Sequence, residues 1–114
     1  MAIVKHITKK EFDESFSKIG DKLINNSGKN CIVKFTASWC GPCKMMIPVL
    51  EKVSADHDIP VYEIDVDDEF ELSSMFNIRS VPTIYFSPIS GDAIIHMGAI
   101  PQSLMDKLIV NYFG

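Results

Sequence analysis

The chain has 114 residues, 46% of them apolar and 23% charged, and its 11 Lys and Arg against 15 Asp and Glu give a net charge of −4. That size and composition fit a single globular domain, able to bury its own core without structural disulfides or a metal. The acidic balance argues against a nucleic-acid binder, which needs a basic face; no run of about 18 apolar residues is present to span a membrane; and Met1–Lys10 lacks the apolar stretch of a signal peptide, so a cytoplasmic location is expected.

Along the chain, Ala2–Ile7 reads as a first strand. Thr8 followed by Glu11 has the spacing of a capping box, and Phe12, Phe16, Ile19, Leu23 and Ile24 recur at helical spacing. They predict a helix to about Asn26, ended by the turn chemistry of Asn25-Asn26-Ser27-Gly28. Cys31–Ala37 reads as a buried strand interrupted by one charge, Lys34. After a turn at Ser38–Pro42, a helix is expected from about Cys43 to His57, with Val49, Leu50 and Val53 on its core side and Pro48 kinking it. Val61–Val66 is the next strand, and Asp67–Phe76 a helix whose acidic first turn suits the helix dipole. Thr83–Phe86 and Ala93–Met97 form an antiparallel hairpin across Ser87–Asp92, and Gln102–Tyr112 closes the chain as an amphipathic helix through Leu104, Leu108 and Ile109. The order β-α-β-α-β-α-β-β-α predicts an α/β fold, a mixed sheet of about five strands with about four helices on its two faces.

Three cysteines are too few for a disulfide scaffold, so the Cys40-Gly41-Pro42-Cys43 pair means redox chemistry or metal. A zinc site would need a second ligand pair; His6, His57 and His96 are scattered and supply none, so no metal is expected. At the start of a helix, residues three apart share a face, which brings the two sulfurs together. The helix dipole and free N-terminal amides favour a thiolate there. Cys40 is thus the expected attacking thiolate and Cys43 the resolving thiol: a mixed disulfide forms on Cys40, and Cys43 displaces the reduced substrate. Pro42 fits the helix start. Trp39 either offers an apolar surface over the site or is a partly buried packing aromatic.

The stretch Phe35-Thr36-Ala37-Ser38-Trp39-Cys40-Gly41-Pro42-Cys43-Lys44-Met45, with Pro48 inside the next helix, resembles the active-site signature of the thioredoxin family. Val81-Pro82-Thr83 is similar to that family's cis-proline loop, and Gly98 to the glycine near the end of its last strand. The resemblance implies a thioredoxin fold and a protein-disulfide reductase. It implies a substrate-binding surface of Trp39, Gly41, Pro42, Val81, Pro82 and Gly98, a redox disulfide between Cys40 and Cys43, and a Val81–Pro82 bond that is cis and close to Cys40. It also implies a thioredoxin reductase as electron donor and protein disulfides as substrates. No cofactor is expected, and one small domain without an obvious exposed stripe points to a monomer. An isomerase or oxidase of the same fold, or a non-catalytic interaction subunit, are the alternatives. The Gly-Pro dipeptide resembles the reducing members.

One position departs from the pattern. Six residues before the first active-site cysteine the family carries a buried aspartate; here it is Lys34, and the family's facing lysine corresponds to Glu63. Two readings follow from this swap of signs. Either Lys34 and Glu63 pair beneath Cys43 and relay its proton, Glu63 being the base, or both snorkel to solvent and take no part. Cys31 is expected to be a small core residue. Met45, Met46, Met75, Met97 and Met105 are expected as core filler, and the acidic residues from Asp56 to Glu71 as a solvated face.

Overall fold

The computed structural model describes residues 4–114. Its elements are β1 (Val4–His6), α1 (Lys9–Ser15), β2 (Phe16–Ile19), β3 (Lys22–Asn25), β4 (Cys31–Thr36), α2 (Gly41–His57), β5 (Val61–Asp65), α3 (Phe70–Met75), β6 (Thr83–Ser87), β7 (Ile94–Met97) and α4 (Gln102–Phe113). Five strands form the expected mixed sheet in the order β1-β5-β4-β6-β7. β4 lies in the middle, parallel to β5 and antiparallel to β6, and β1 is a parallel edge strand beside β5. Ala2 and Ile3 of the expected first strand lie outside the described residues.

All six residues of β4 are buried, because successive side chains enter different layers. Ile32 joins Met46, Leu50 and Val53 of α2, Ile84 and Phe86 of β6, and Met105 and Ile109 of α4. Cys31, Val33 and Phe35 point the other way, to Phe12 of α1, Phe16 and Leu23, and Leu72 of α3. The sheet is thus covered on both faces, as the element order predicts, and Lys34 shares the α2 face with Ile32.

The helix expected to reach Asn26 stops at Ser15, and this corrects the sequence reading. The Thr8–Glu11 capping box does form, with each side chain bonded to the other residue's backbone N–H. Residues 16–25 then make a hairpin in which Phe16 faces Asn25 and Ile19 faces Lys22. Gly20, at φ +64°, sits in the tight Gly20-Asp21 turn that joins the strands, a conformation glycine adopts without a steric penalty. Phe16 and Leu23 still reach the core. Two short strands therefore replace the predicted helical stripe, turning Phe16 and Leu23 inward and leaving Ile19 exposed.

Other differences are smaller. α3 begins later than expected because Asp65 Oδ1 accepts the N–H groups of Asp67 and Asp68, at 2.8 and 3.2 Å, and holds them in a turn. In α4 Leu108 and Ile109 are buried as expected, but Met105 joins them in the core while Leu104 is exposed. The methionines split: Met46 and Met105 are core, but Met45, Met75 and Met97 lie on the surface. Pro48 withdraws one helical donor, yet α2 continues through it to His57.

The candidate dithiol site

The site forms where buried β4 gives way to α2. Cys40 is the N-cap of that helix, in extended conformation, and Pro42 lies in its first turn, where a missing N–H costs least. Cys40 and Cys43 are joined as a disulfide with Cα atoms 5.2 Å apart. The Cys43 backbone N–H donates to Cys40 Sγ at 3.1 Å. An amide aimed at that sulfur, together with the positive end of the helix dipole, favours its anionic form once the disulfide opens. Cys40 is the more accessible of the two, as expected, but the margin is narrow: 4% of its surface is open against 1% for Cys43. Ala37 and Val81 cover the pair.

The loop before β6 brings the second part of the site. The Val81–Pro82 bond is cis, as the resemblance implies. The Val81 carbonyl oxygen lies 3.6 Å from Cys40 Sγ. Gly98 closes against this loop, its N–H donating to the Pro82 carbonyl at 2.8 Å. At φ +94° with open space around it, Gly98 is required by its backbone conformation. Gly41 and Pro42 are exposed at the rim.

Trp39 is 69% exposed, which rules out the packing reading. Its indole Nε1 donates to Asp67 Oδ2 at 2.9 Å, fixing the ring beside the disulfide. Trp39, Val66, Ile78, Arg79, Ser80 and Val81 line a shallow groove of about 150 Å³. The sequence reading put Asp67 in a solvated patch and, of the groove residues after α3, named Val81 but left out Ile78, Arg79 and Ser80; a tryptophan beside the first cysteine does not signal them. A larger cavity, between residues 28–30, the end of α2 and the end of α4, lies apart from the dithiol.

Beneath Cys43 the swapped charges meet. Lys34 and Glu63 face each other across β4 and β5. Lys34 Nζ donates to Glu63 Oε2 and to the Cys43 carbonyl, both at 2.8 Å. Lys34 is fully buried and Glu63 nearly so, so the snorkelling alternative fails. Glu63 Oε1 also lies 3.4 Å from His6 Nε2. Sequence reasoning considered His6 only as a metal ligand; its place in the row His6–Glu63–Lys34 across three strands becomes readable once the register is known.

Cys31 is buried away from the site, as expected. Its Sγ accepts from Asn25 Nδ2 at 3.3 Å. Burial pushes its thiol up to about 11 despite hydrogen bonds with Ser27 and Asn25 that act the other way. Below that pH the native thiol stays protonated and unreactive. Iodoacetamide at mildly alkaline pH should therefore modify Cys31 only after denaturant is added, as mass spectrometry would show; rapid labelling of the native chain would contradict its burial.

Among families of known sequence, the thioredoxin family model matches residues 3–110. The chain is 38% identical over 85 residues to a thioredoxin of Borreliella burgdorferi, an alignment covering 73% of each chain. It is 37% identical over 108 residues to a thioredoxin of Mycoplasmoides gallisepticum, covering 93% of this chain and 99% of that one. The fold is similar to the crystal structure of chloroplastic thioredoxin z, with a TM-score of 0.83 at 28% identity over 97% of this chain and 95% of the other. Taken with a Cys40–Cys43 disulfide at the head of α2, these matches show a protein-disulfide oxidoreductase acting as a thioredoxin-like reductase, and the chain belongs to the thioredoxin family.

Proposed function

We propose that one domain spanning the chain carries the whole reaction, with Cys40 as nucleophile and Cys43 as resolving thiol. The Cys40 thiolate attacks one sulfur of a substrate disulfide, the substrate S–S bond breaks, and the leaving sulfur takes a proton from water. Cys43 then loses its proton and attacks Cys40 Sγ. The mixed disulfide breaks, the intramolecular disulfide forms, and the substrate leaves with two thiols. Two electrons and two protons from a thioredoxin reductase return the pair to the dithiol. The observation that carries this reading is the Cys43 N–H on Cys40 Sγ at a helix N-terminus, with the Val81 carbonyl beside it.

In this reading the groove beside Trp39 receives the substrate chain, with Gly41, Pro42, Val81, Pro82 and Gly98 at its margins. Lys34, held against the Cys43 carbonyl, favours the Cys43 thiolate, and Glu63 holds Lys34 in place and takes up the departing proton. We take the chain to act as a monomer. The reducing Gly-Pro pair suits the cytoplasm, where the lone Cys31 would also stay a thiol.

The test is turnover. Insulin reduction by dithiothreitol should accelerate with the native chain, and a thioredoxin reductase with NADPH should replace the dithiothreitol. Failure of both couplings, with disulfide-dependent binding intact, would point instead to an interaction subunit.

A further inference from the structure

We propose that His6 is a positioning residue that couples the buried Lys34–Glu63 pair to the pH of the surrounding water, so that its charge sets how fast Cys43 resolves the mixed disulfide. The inference rests on the reading of Lys34 and Glu63 given above. His6, Glu63 and Lys34 occupy one row across β1, β5 and β4, and directly opposed residues share a face of the sheet. Each oxygen of the Glu63 carboxylate has a basic partner: Oε2 meets Lys34 Nζ at 2.8 Å and Oε1 meets His6 Nε2 at 3.4 Å. Lys34 has no exposed side-chain surface and Glu63 only 6%, whereas 68% of the His6 side chain is open. The row thus runs from the Cys43 carbonyl to water, and its outer member belongs to the residue type that ordinarily changes charge between about pH 5 and 8.

Other charges near His6 are committed elsewhere or lie on other faces. Lys5, its neighbour on β1, pairs with Glu11 of α1 at 2.8 Å, and Glu14 of α1 also acts on Lys5. β5 adds Tyr62 and Asp65 on either side of Glu63. α2, which packs against β1, carries Lys44, Glu51, Lys52, Asp56 and His57. Of these, Lys52 pairs with Asp56 at 2.7 Å and His57 with Asp106 at 3.1 Å. Among the described residues Glu63 is the only carboxylate within ion-pair distance of His6.

The consequence is electrostatic. With a neutral imidazole the row has no net charge, and Cys43 feels chiefly the nearer Lys34. With an imidazolium the row carries one net positive charge, which favours the Cys43 thiolate whatever route its proton takes to water. A single charge several residues away, partly shielded from salt, should change the thiolate population by about threefold.

A symmetric aromatic disulfide, 5,5′-dithiobis(2-nitrobenzoate), separates the two steps. Attack by Cys40 releases one coloured thiolate and leaves the other as a mixed disulfide; attack by Cys43 closes the Cys40–Cys43 bond and releases the second. In stopped flow, the second phase of the native chain should rise less steeply than one decade per pH unit between about pH 5 and 8. His6→Gln should restore the full slope and run about threefold slower than the parent at the acidic end, and match it at the alkaline end. His6→Lys, permanently charged, should match the parent at the acidic end and run about threefold faster at the alkaline end. The first phase should be unmoved in both variants. Superimposed second phases, or an equal shift of both variants at every pH, would overturn the assignment of His6. If Lys34→Met/Glu63→Leu alters the second phase while the His6 variants superimpose, the inference fails alone. If that double variant also leaves the second phase untouched, the reading of the buried pair fails with it. His6 is largely exposed, so loss of fold does not cloud its two variants.

Discussion

Cys43→Ser should convert the protein into a trap that keeps one substrate molecule per chain as a mixed disulfide on Cys40. The variant keeps the helix start, and serine can occupy the same buried place, so the Cys40 sulfur still has its amide donor. Only the second displacement is lost. In the native chain that displacement is intramolecular, between groups whose Cα atoms are 5.2 Å apart. Oriented intramolecular attack reaches effective molarities of about 10⁵ M or more, so a millimolar external thiol cannot replace it, and turnover should fall at least about a thousandfold. Non-reducing electrophoresis and intact mass would show the adduct. Cys40→Ser should form no adduct and turn over nothing. The two variants together assign the order of attack: an adduct on Cys43 in the Cys40→Ser chain would reverse the roles.

The proposed order of attack rests on local facts legible in the sequence: a strand ending, a Pro near a helix start, and two sulfurs one turn apart. The central sheet was legible for a similar reason. Cys31–Thr36 and Thr83–Ser87 are apolar runs buried on both sides, and such runs leave little choice of partner or layer. Residues 12–25 misled because Phe12, Phe16, Ile19 and Leu23 fit a helical period, whereas the hairpin buries Phe16 and Leu23 and exposes Ile19 around a turn at Gly20, whose φ is positive. Surface methionines misled differently. Met45 and Met97 sit on exposed ground around the site, where composition alone does not distinguish core from rim. The charge row was half legible. Lys34 and Glu63 could be matched because the family resemblance places a facing pair of opposite charges at those two positions, whereas His6 enters only through the parallel register of an edge strand three residues long.

Lys34→Met alone should be among the most damaging single changes in the protein. It strands Glu63 in the interior with His6 as its remaining basic partner, and removes the donor to the Cys43 carbonyl. Breaking one side of a buried ion pair typically costs about 3–5 kcal/mol, a large part of the roughly 5–15 kcal/mol by which a domain is stable. Urea unfolding should show that loss. The double variant Lys34→Met/Glu63→Leu removes both charges and keeps side chains of similar bulk, so most of the stability should return. That recovery separates structure from chemistry. A chain that is stable but lacks the pair should resolve its mixed disulfide at least about tenfold more slowly near neutral pH, since nothing remains beneath Cys43 to favour its thiolate or take its proton. Its rate should catch up with the parent as the pH rises, because solvent hydroxide then deprotonates the thiol unaided. Should the double variant prove stable and its resolution rate match the parent at every pH, the buried pair would be a packing device, and Cys43 would draw its reactivity from the helix terminus alone.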